Sequence, residues 1–340
     1  MPGTPSIHLV GGVPLDAKEV FELAGQAFGG HAKRLPDGEK KRGWLRPQGP
    51  ILGRAPGMTT GGSGQYLQWT NQKYRPAPGQ DVAAIKFGPL GYRAAALESY
   101  AVFKAVREAG KIPAGTRFQI SVPTAFGVMG HSIDADVIRD VWPVYEAQLF
   151  AEINEIAAII PHRDLAVQWD IAIEITQVLD SPKGVSTAYS MDELADSIAR
   201  AIDCLPPDVE GGLHLCYGDA GEDKHYVNPK DMGVMVAFAN AIAPKARHPI
   251  AWLHMPVPKE REDDAYFAPL KDLKLRPETE LFLGLVHRHD GVDGAKRKIA
   301  AARKYAASFG VGTECGLGRY FAADLIPGLF ALHRDVAELS

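Results

Sequence analysis

Cysteine is scarce in this sequence, with three among 340 residues, at positions 204, 216 and 315. The odd number, the wide spacing and the lack of any Cys-x-x-Cys pair argue against a disulfide framework and against a zinc finger. They fit a reducing compartment in which thiols serve as ligands or core residues. Also missing are a charged-then-apolar leader and any uninterrupted apolar run near the roughly 18 residues of a membrane span. A cytoplasmic protein with no membrane partner is expected. Basic charge is not in excess either: 37 Lys and Arg face 41 Asp and Glu, for a net charge of -4. The runs Glu39-Lys40-Lys41-Arg42 and Lys296-Arg297-Lys298 are too short for a nucleic-acid footprint and read as solvated surface.

What is present fits a soluble globular enzyme, with 46% hydrophobic and 23% charged residues. Short apolar runs alternate with helical patterns, the signature of repeated βα units around a parallel sheet. Eight strands are expected, over Ile7–Val13, Ala32–Pro36, Phe118–Val122, Leu165–Ile171, Gly212–Tyr217, Ile250–Val257, Leu281–His287 and Gly310–Cys315. That number suggests an α/β fold of the (β/α)8 TIM-barrel type, one domain over 1–340. Ser190 with Glu193 forms a capping box, Asn228-Pro229 reads as a helix start, and Gly310 stops a helix running from about Asp293. Cys204, just before a proline pair, reads as a helix-end core residue. The exception to regularity is about 41–84, rich in Gly, Pro and aromatics. Trp44, Tyr66, Trp69 and Tyr74 are too many aromatics for a solvated linker, so a long ordered loop over the active-site mouth is expected.

Two cysteine sites about a hundred residues apart stand out: His214-Leu215-Cys216, and Cys315 at the end of another apolar run. On a strand, residues i and i+2 project to one face, so His214 and Cys216 offer an imidazole and a thiolate side by side. Cys315 supplies a second sulfur if the fold brings the two strand ends together. The competing reading is that each is simply buried, as free Cys usually is. Carboxylates at strand ends face a barrel's mouth, which marks Glu39 and Asp170 as an ammonium site or an acid/base pair.

These segments resemble the catalytic C-terminal barrel of the cobalamin-independent methionine synthase family, within the uroporphyrinogen decarboxylase-like group. His214-Leu215-Cys216-Tyr217 is similar to the family's His-x-Cys-Tyr zinc strand, and Cys315-Gly316-Leu317 to the Cys-Gly-Leu carrying its last zinc ligand. Gly38-Glu39 and Gln168-Trp169-Asp170 are similar to its Gly-Glu and Gln-x-Asp, whose carboxylates hold the substrate amino group. The resemblance implies zinc held by His214, Cys216 and Cys315. His254, in AWLHMPVP, stands at or near the place of the family's glutamate ligand, or else points elsewhere. It also implies substrate contacts from Glu39, Asp170, Trp169 and Gly12, where the family has a serine, and proton donation by His289, with His287 replacing an orienting aspartate.

The implied activity is zinc-dependent methyl or alkyl transfer to a small-molecule thiol, with a folate or corrinoid as donor. Three readings stand beside it: another zinc-dependent thiol alkylation such as epoxide opening by a thiol cofactor, demethylation in the reverse direction, and a metal-binding partner of a corrinoid methyl carrier. The family's Asp-Glu-Pro is here Asp170-Ile171-Ala172, so the thiol need not be homocysteine.

Overall fold

The computed structural model describes residues 6–40, 47–66, 69–179, 188–221, 224–319 and 322–339. Strands and helices alternate. Helix α1 (Ala17–Phe28) precedes β1 (Arg34–Pro36), and α2 (Gln48–Gly53) precedes an antiparallel hairpin of β2 (Met58–Tyr66) and β3 (Trp69–Pro76). Then follow α3 (Tyr92–Glu108), β4 (Arg117–Pro123), α4 (Ala125–Ser132), α5 (Ile138–Ala157), β5 (Leu165–Ile171), a π-helical turn over Glu174–Leu179, and α6 (Met191–Asp203). Next come β6 (Glu210–Leu215), a small ribbon of β7 (Asp219–Gly221) and β8 (Lys224–His225), α7 (Gly233–Ile242), β9 (Ile250–Pro256) and α8 (Asp264–Phe267). The chain continues through β10 (Glu280–Val286), α9 (Gly291–Ala302), β11 (Gly310–Thr313) and α10 (Ile326–Ala337). No helix among the described residues is long and apolar enough to cross a membrane.

Seven strands form one curled parallel sheet in the order β1-β4-β5-β6-β9-β10-β11. They are short and almost wholly buried, as parallel strands covered on both faces must be. The expected strand Ile7–Val13 is present only as isolated bridges. Ile7 pairs with Ala32, just before β1, and with Val311 in β11, so one residue touches both edges of the sheet.

Strand alternation divides the side chains. Outward residues pack beneath the helices: Phe118 of β4 meets Phe21 of α1 and Phe103 of α3, and Trp169 of β5 meets Phe150 of α5 edge-on. Inward residues fill the concave face. At its N-terminal end the Arg34 guanidinium lies 4.3 Å over Trp252 and bonds Glu210 at 2.6 Å and Glu280 at 3.1 Å. Above this plug Gln168 Nε2 donates to the Val10 carbonyl at 2.7 Å and to Asp170 at 2.8 Å, while its Oε1 pairs with His8 Nε2 at 2.7 Å.

The 41–84 segment, expected as a long ordered loop, holds a helix and a hairpin. It shows no sustained period because its strands carry Thr, Gly, Ser and Gln with little apolar alternation, being mostly solvated on both faces. Trp44 and the side chains of Tyr66 and Trp69 lie outside the described residues; Tyr74 packs against the core, its ring beside Gly53. Asn228-Pro229 does not start a helix, since α7 begins at Gly233 behind Met232. The Ser190 capping box is present in both halves, and Cys204 caps the end of α6, its thiol pushed up to about 12 by burial.

Candidate metal and thiol site

The register of β5, β6 and β9 sets Asp170, His214 and His254 side by side across the sheet. Cys216 lies one residue beyond β6, yet its N–H bonds to the Ile171 carbonyl at 2.9 Å and continues the ladder. It therefore keeps the inward direction of His214. Cys315 leaves β11 in a turn held by Thr313, whose hydroxyl donates to the Cys315 carbonyl at 2.9 Å. The ligating atoms of His214, Cys216 and Cys315 all lie within 4.8 Å of one another, and all three residues are buried. The two Sγ atoms are 3.7 Å apart. Cys216 Sγ also accepts from the Gly218 N–H at 3.4 Å, and the two cysteines form one small buried cluster with Ala172.

Donor types and spacing can be tested against a metal. Two sulfurs at about 2.3 Å from a tetrahedral zinc stand about 3.8 Å apart, whereas a disulfide would hold them at about 2 Å. The observed 3.7 Å has the tetrahedral value. Imidazole and two thiols are a borderline-soft donor set, which suits zinc.

His254 is brought to His214, not to the sulfurs: the two Nδ1 atoms are 2.8 Å apart and the rings 4.9 Å between centroids. The expected fourth ligand is thus corrected to a partner of the first. Burial pushes the His254 imidazole down to about 3, against a backbone hydrogen bond with Thr313, so it is neutral. One imidazole of such a pair must donate and the other accept.

The loop carrying Cys315 is pressed against the N-terminal segment. Leu317 N–H donates to the Gly11 carbonyl at 3.0 Å. A Cβ on Gly318 would come within 2.3 Å of the Gly12 carbonyl oxygen, and Gly12 has φ +58°. Glycines are needed on both sides of this contact. What the structure shows of Gly12 is this close approach.

Glu39 and Asp170 close the C-terminal ends of β1 and β5. Glu39 N–H bonds to the Val13 carbonyl at 2.8 Å. The pKa of the Tyr92 phenol is pushed above its ordinary value, above all by burial, and both carboxylates add to the effect, so both act on one region. Trp169 does not join them: strand alternation sends its ring to the helix side, and the substrate contact expected there is corrected to an outer-layer packing role.

The histidine pair also departs from expectation. Strand β10 ends at Val286, so His287 and His289 lie on the turn into α9, where the two-residue repeat no longer applies. His289 is 44% exposed, with Asp290 3.8 Å away. His287 is buried, and burial lowers its pKa while the Glu314 carboxylate works the other way. Sequence reasoning passed over Tyr217, His225, Glu314 and Glu174. The Tyr217 hydroxyl donates to Glu314, and His225 lies 3.0 Å from the same carboxylate oxygen. Glu174 on the π-helical turn accepts from Thr124, while its Oε2 has no partner among the described residues. A charged residue inside an apolar run is a readable signal for Glu314 and Glu174; nothing local marks His225.

No protein-family model matches the sequence, and no curated protein matches it. The chain is similar to solved structures, among them these two. One is a putative vitamin-B12 independent methionine synthase from Listeria monocytogenes, at 15% identity over 95% of this chain and 86% of that one, with a TM-score of 0.56. The other is a B12-independent methionine synthase from Shewanella sp. W3-18-1 in complex with selenomethionine, at 13% identity over 98% and 97%, with a TM-score of 0.60. At these identities the likeness is one of fold, the curled parallel sheet with its helices.

Proposed function

We propose that the protein is a zinc-dependent enzyme transferring a methyl or other alkyl group to a substrate thiol. The observation that carries the reading is the 3.7 Å spacing of Cys216 and Cys315 with His214 beside them, at the C-terminal strand ends where sheets of this kind hold their chemistry. The Ile7 bridges to both sheet edges support closure as an eight-stranded barrel, a single domain whose mouth is this site. Zinc there would supply the Lewis acidity that brings a thiol's pKa into the physiological range.

His214, Cys216 and Cys315 would hold the zinc in this reading, with the thiol substrate bound beside them. Ligation through His214 Nε2 requires its Nδ1–H to donate to His254, which then fixes the tautomer and ring orientation. Asp170, braced by Gln168, and Glu39 would orient a cationic group on the thiol substrate. His289, half in solvent, can exchange a proton with water and pass it to the leaving group; buried His287 cannot do so as readily. The donor would be a folate or a corrinoid.

Elemental analysis followed by a panel of thiols and methyl donors tests the reading. About one zinc per chain and thiol-dependent alkyl transfer are expected. A protein that binds no zinc, or that retains full activity after chelation, overturns it.

A further inference from the structure

The residues next to the two sulfur ligands also meet each other. Tyr217 follows Cys216 and Glu314 precedes Cys315, and the Tyr217 hydroxyl donates to Glu314 Oε1. His225, at the end of the β7–β8 ribbon, brings its Nε2 to 3.0 Å from that same oxygen. All three side chains are buried. Backbone bonds hold the ribbon over β6: Tyr226 N–H to the Gly218 carbonyl at 2.7 Å, and Val227 N–H to the Tyr217 carbonyl at 3.2 Å. A side chain and its neighbour in sequence share a backbone, so any shift of residue 217 or 314 is passed to the adjacent sulfur.

We infer that Glu314 is a positioning residue which, gripped by Tyr217 and His225, sets the separation of Cys216 and Cys315. The inference rests on the metal reading above. The grip ties the end of β6 directly to the turn after β11 through side chains, whereas the backbone bonds of Cys216 to Ile171 and of Leu317 to Gly11 hold each segment to a different neighbour. The ribbon is part of the device, because His225 gives the carboxylate its second partner and ties the turn after β11 to the loop after β6. A carboxylate buried this deeply stays in place only while its partners hold it.

The test uses the whole chain with Tyr217→Phe, Glu314→Ala and Glu314→Gln. The control is Tyr100→Phe, which removes a tyrosine–carboxylate bond of 2.7 Å to Asp164 on the outer layer. Cobalt(II) is the probe, read by its affinity and its sulfur-to-cobalt charge-transfer band. In metal-free protein, the rate at which a thiol reagent labels each cysteine is mapped by mass spectrometry. Tyr217→Phe and Glu314→Ala are expected to weaken cobalt binding about 10- to 100-fold, the size seen when a ligand loses its supporting partner, and to dim the band. Both should label Cys315 faster relative to Cys204. Glu314→Gln, whose amide oxygen still accepts from Tyr217, should retain most of the affinity, and Tyr100→Phe should lower Tm while leaving cobalt binding and the band unchanged.

Wild-type affinity and band in both disruptive variants overturn the inference, as does an equal loss in Tyr100→Phe, which would signal general destabilisation. If the wild-type protein takes up no cobalt, the metal reading fails. Labelling then decides alone: faster Cys315 labelling in both disruptive variants upholds the grip, and unchanged labelling overturns it.

Discussion

At the N-terminal end of the sheet's concave face, Arg34 is held by Glu210 and Glu280 and stacked on Trp252, while Arg117 and Lys33 satisfy the same two carboxylates at 2.9 and 2.6 Å. At the C-terminal end, reached by the same strands, two thiols and an imidazole converge around Ala172. In the first cluster each charge touches an opposite charge from the chain itself, three cations on two carboxylates. The second gathers neutral-type donors that, in the proposed reading, would take a zinc ion. One sheet thus carries a stabilising plug at one end and the proposed chemistry at the other, the division expected when a parallel sheet keeps its active site at the strands' C-terminal ends.

The strongest break of this comparison is at the second cluster. Cys216→Ser and Cys315→Ser should each lower zinc affinity more than a hundredfold, beyond the 10- to 100-fold cost of a lost supporting partner, while leaving Tm of the metal-free protein nearly unchanged. Cys204→Ser should bind zinc as wild type does. Chelator competition and thermal melts of the three variants measure both quantities.

The complementary break is Arg34→Met, which keeps the stem over Trp252 and removes the charge. Splitting a buried pair costs about 3–5 kcal/mol, but Arg117 and Lys33 remain for the carboxylates, so about 1–3 kcal/mol in urea unfolding is expected. Zinc affinity should not move. An Arg34 variant that lost metal as readily as the cysteine variants would show that the two ends are not separate.

The carboxylates at the mouth sharpen the comparison on the substrate side. A thiol bearing an amine should bind more tightly than its desamino analogue by about 1.5–3 kcal/mol, the worth of a charge-assisted hydrogen bond. Asp170→Asn, which keeps shape and removes charge, should abolish most of that difference in a binding titration. Equal binding of both thiols to the wild-type protein would leave the pair to acid/base work.

Glu174 lies apart from both clusters and gives a pH dependence of stability. Burial raises its carboxyl from 4.5 to about 7, against the bond from Thr124 and a backbone bond. A folded-state pKa raised above the unfolded value favours the protonated form. Its stability contribution is therefore whole below about 4.5 and is lost as pH rises through about 7. The urea midpoint should fall across that window, and Glu174→Gln should flatten the fall.

Much of this architecture is legible in the residues, and the reasons differ by element. The strands of the sheet announce themselves as short apolar runs between helical patterns because both their faces are buried. His214 and Cys216 are readable as a pair because one strand period separates them. The hairpin β2–β3 was hidden by its polar, glycine-rich composition. Trp169 was assigned to the site on its neighbours' account, although the same alternation that faces Gln168 and Asp170 inward turns it out. The relation of His287 to His289 depends on where β10 stops, and the apolar run gives no sign of that. His254 on His214 and Tyr217 on Glu314 join residues 40 and 97 positions apart, contacts set by sheet register and curl that no local pattern records.

X-ray absorption at the zinc edge of the purified protein is the most direct test of the central claim. The account predicts about one zinc per chain, with two sulfur neighbours at about 2.3 Å and at least one imidazole nitrogen at about 2.0–2.1 Å. A first shell of nitrogen and oxygen alone, or a spectrum unchanged in Cys216→Ser, would contradict it.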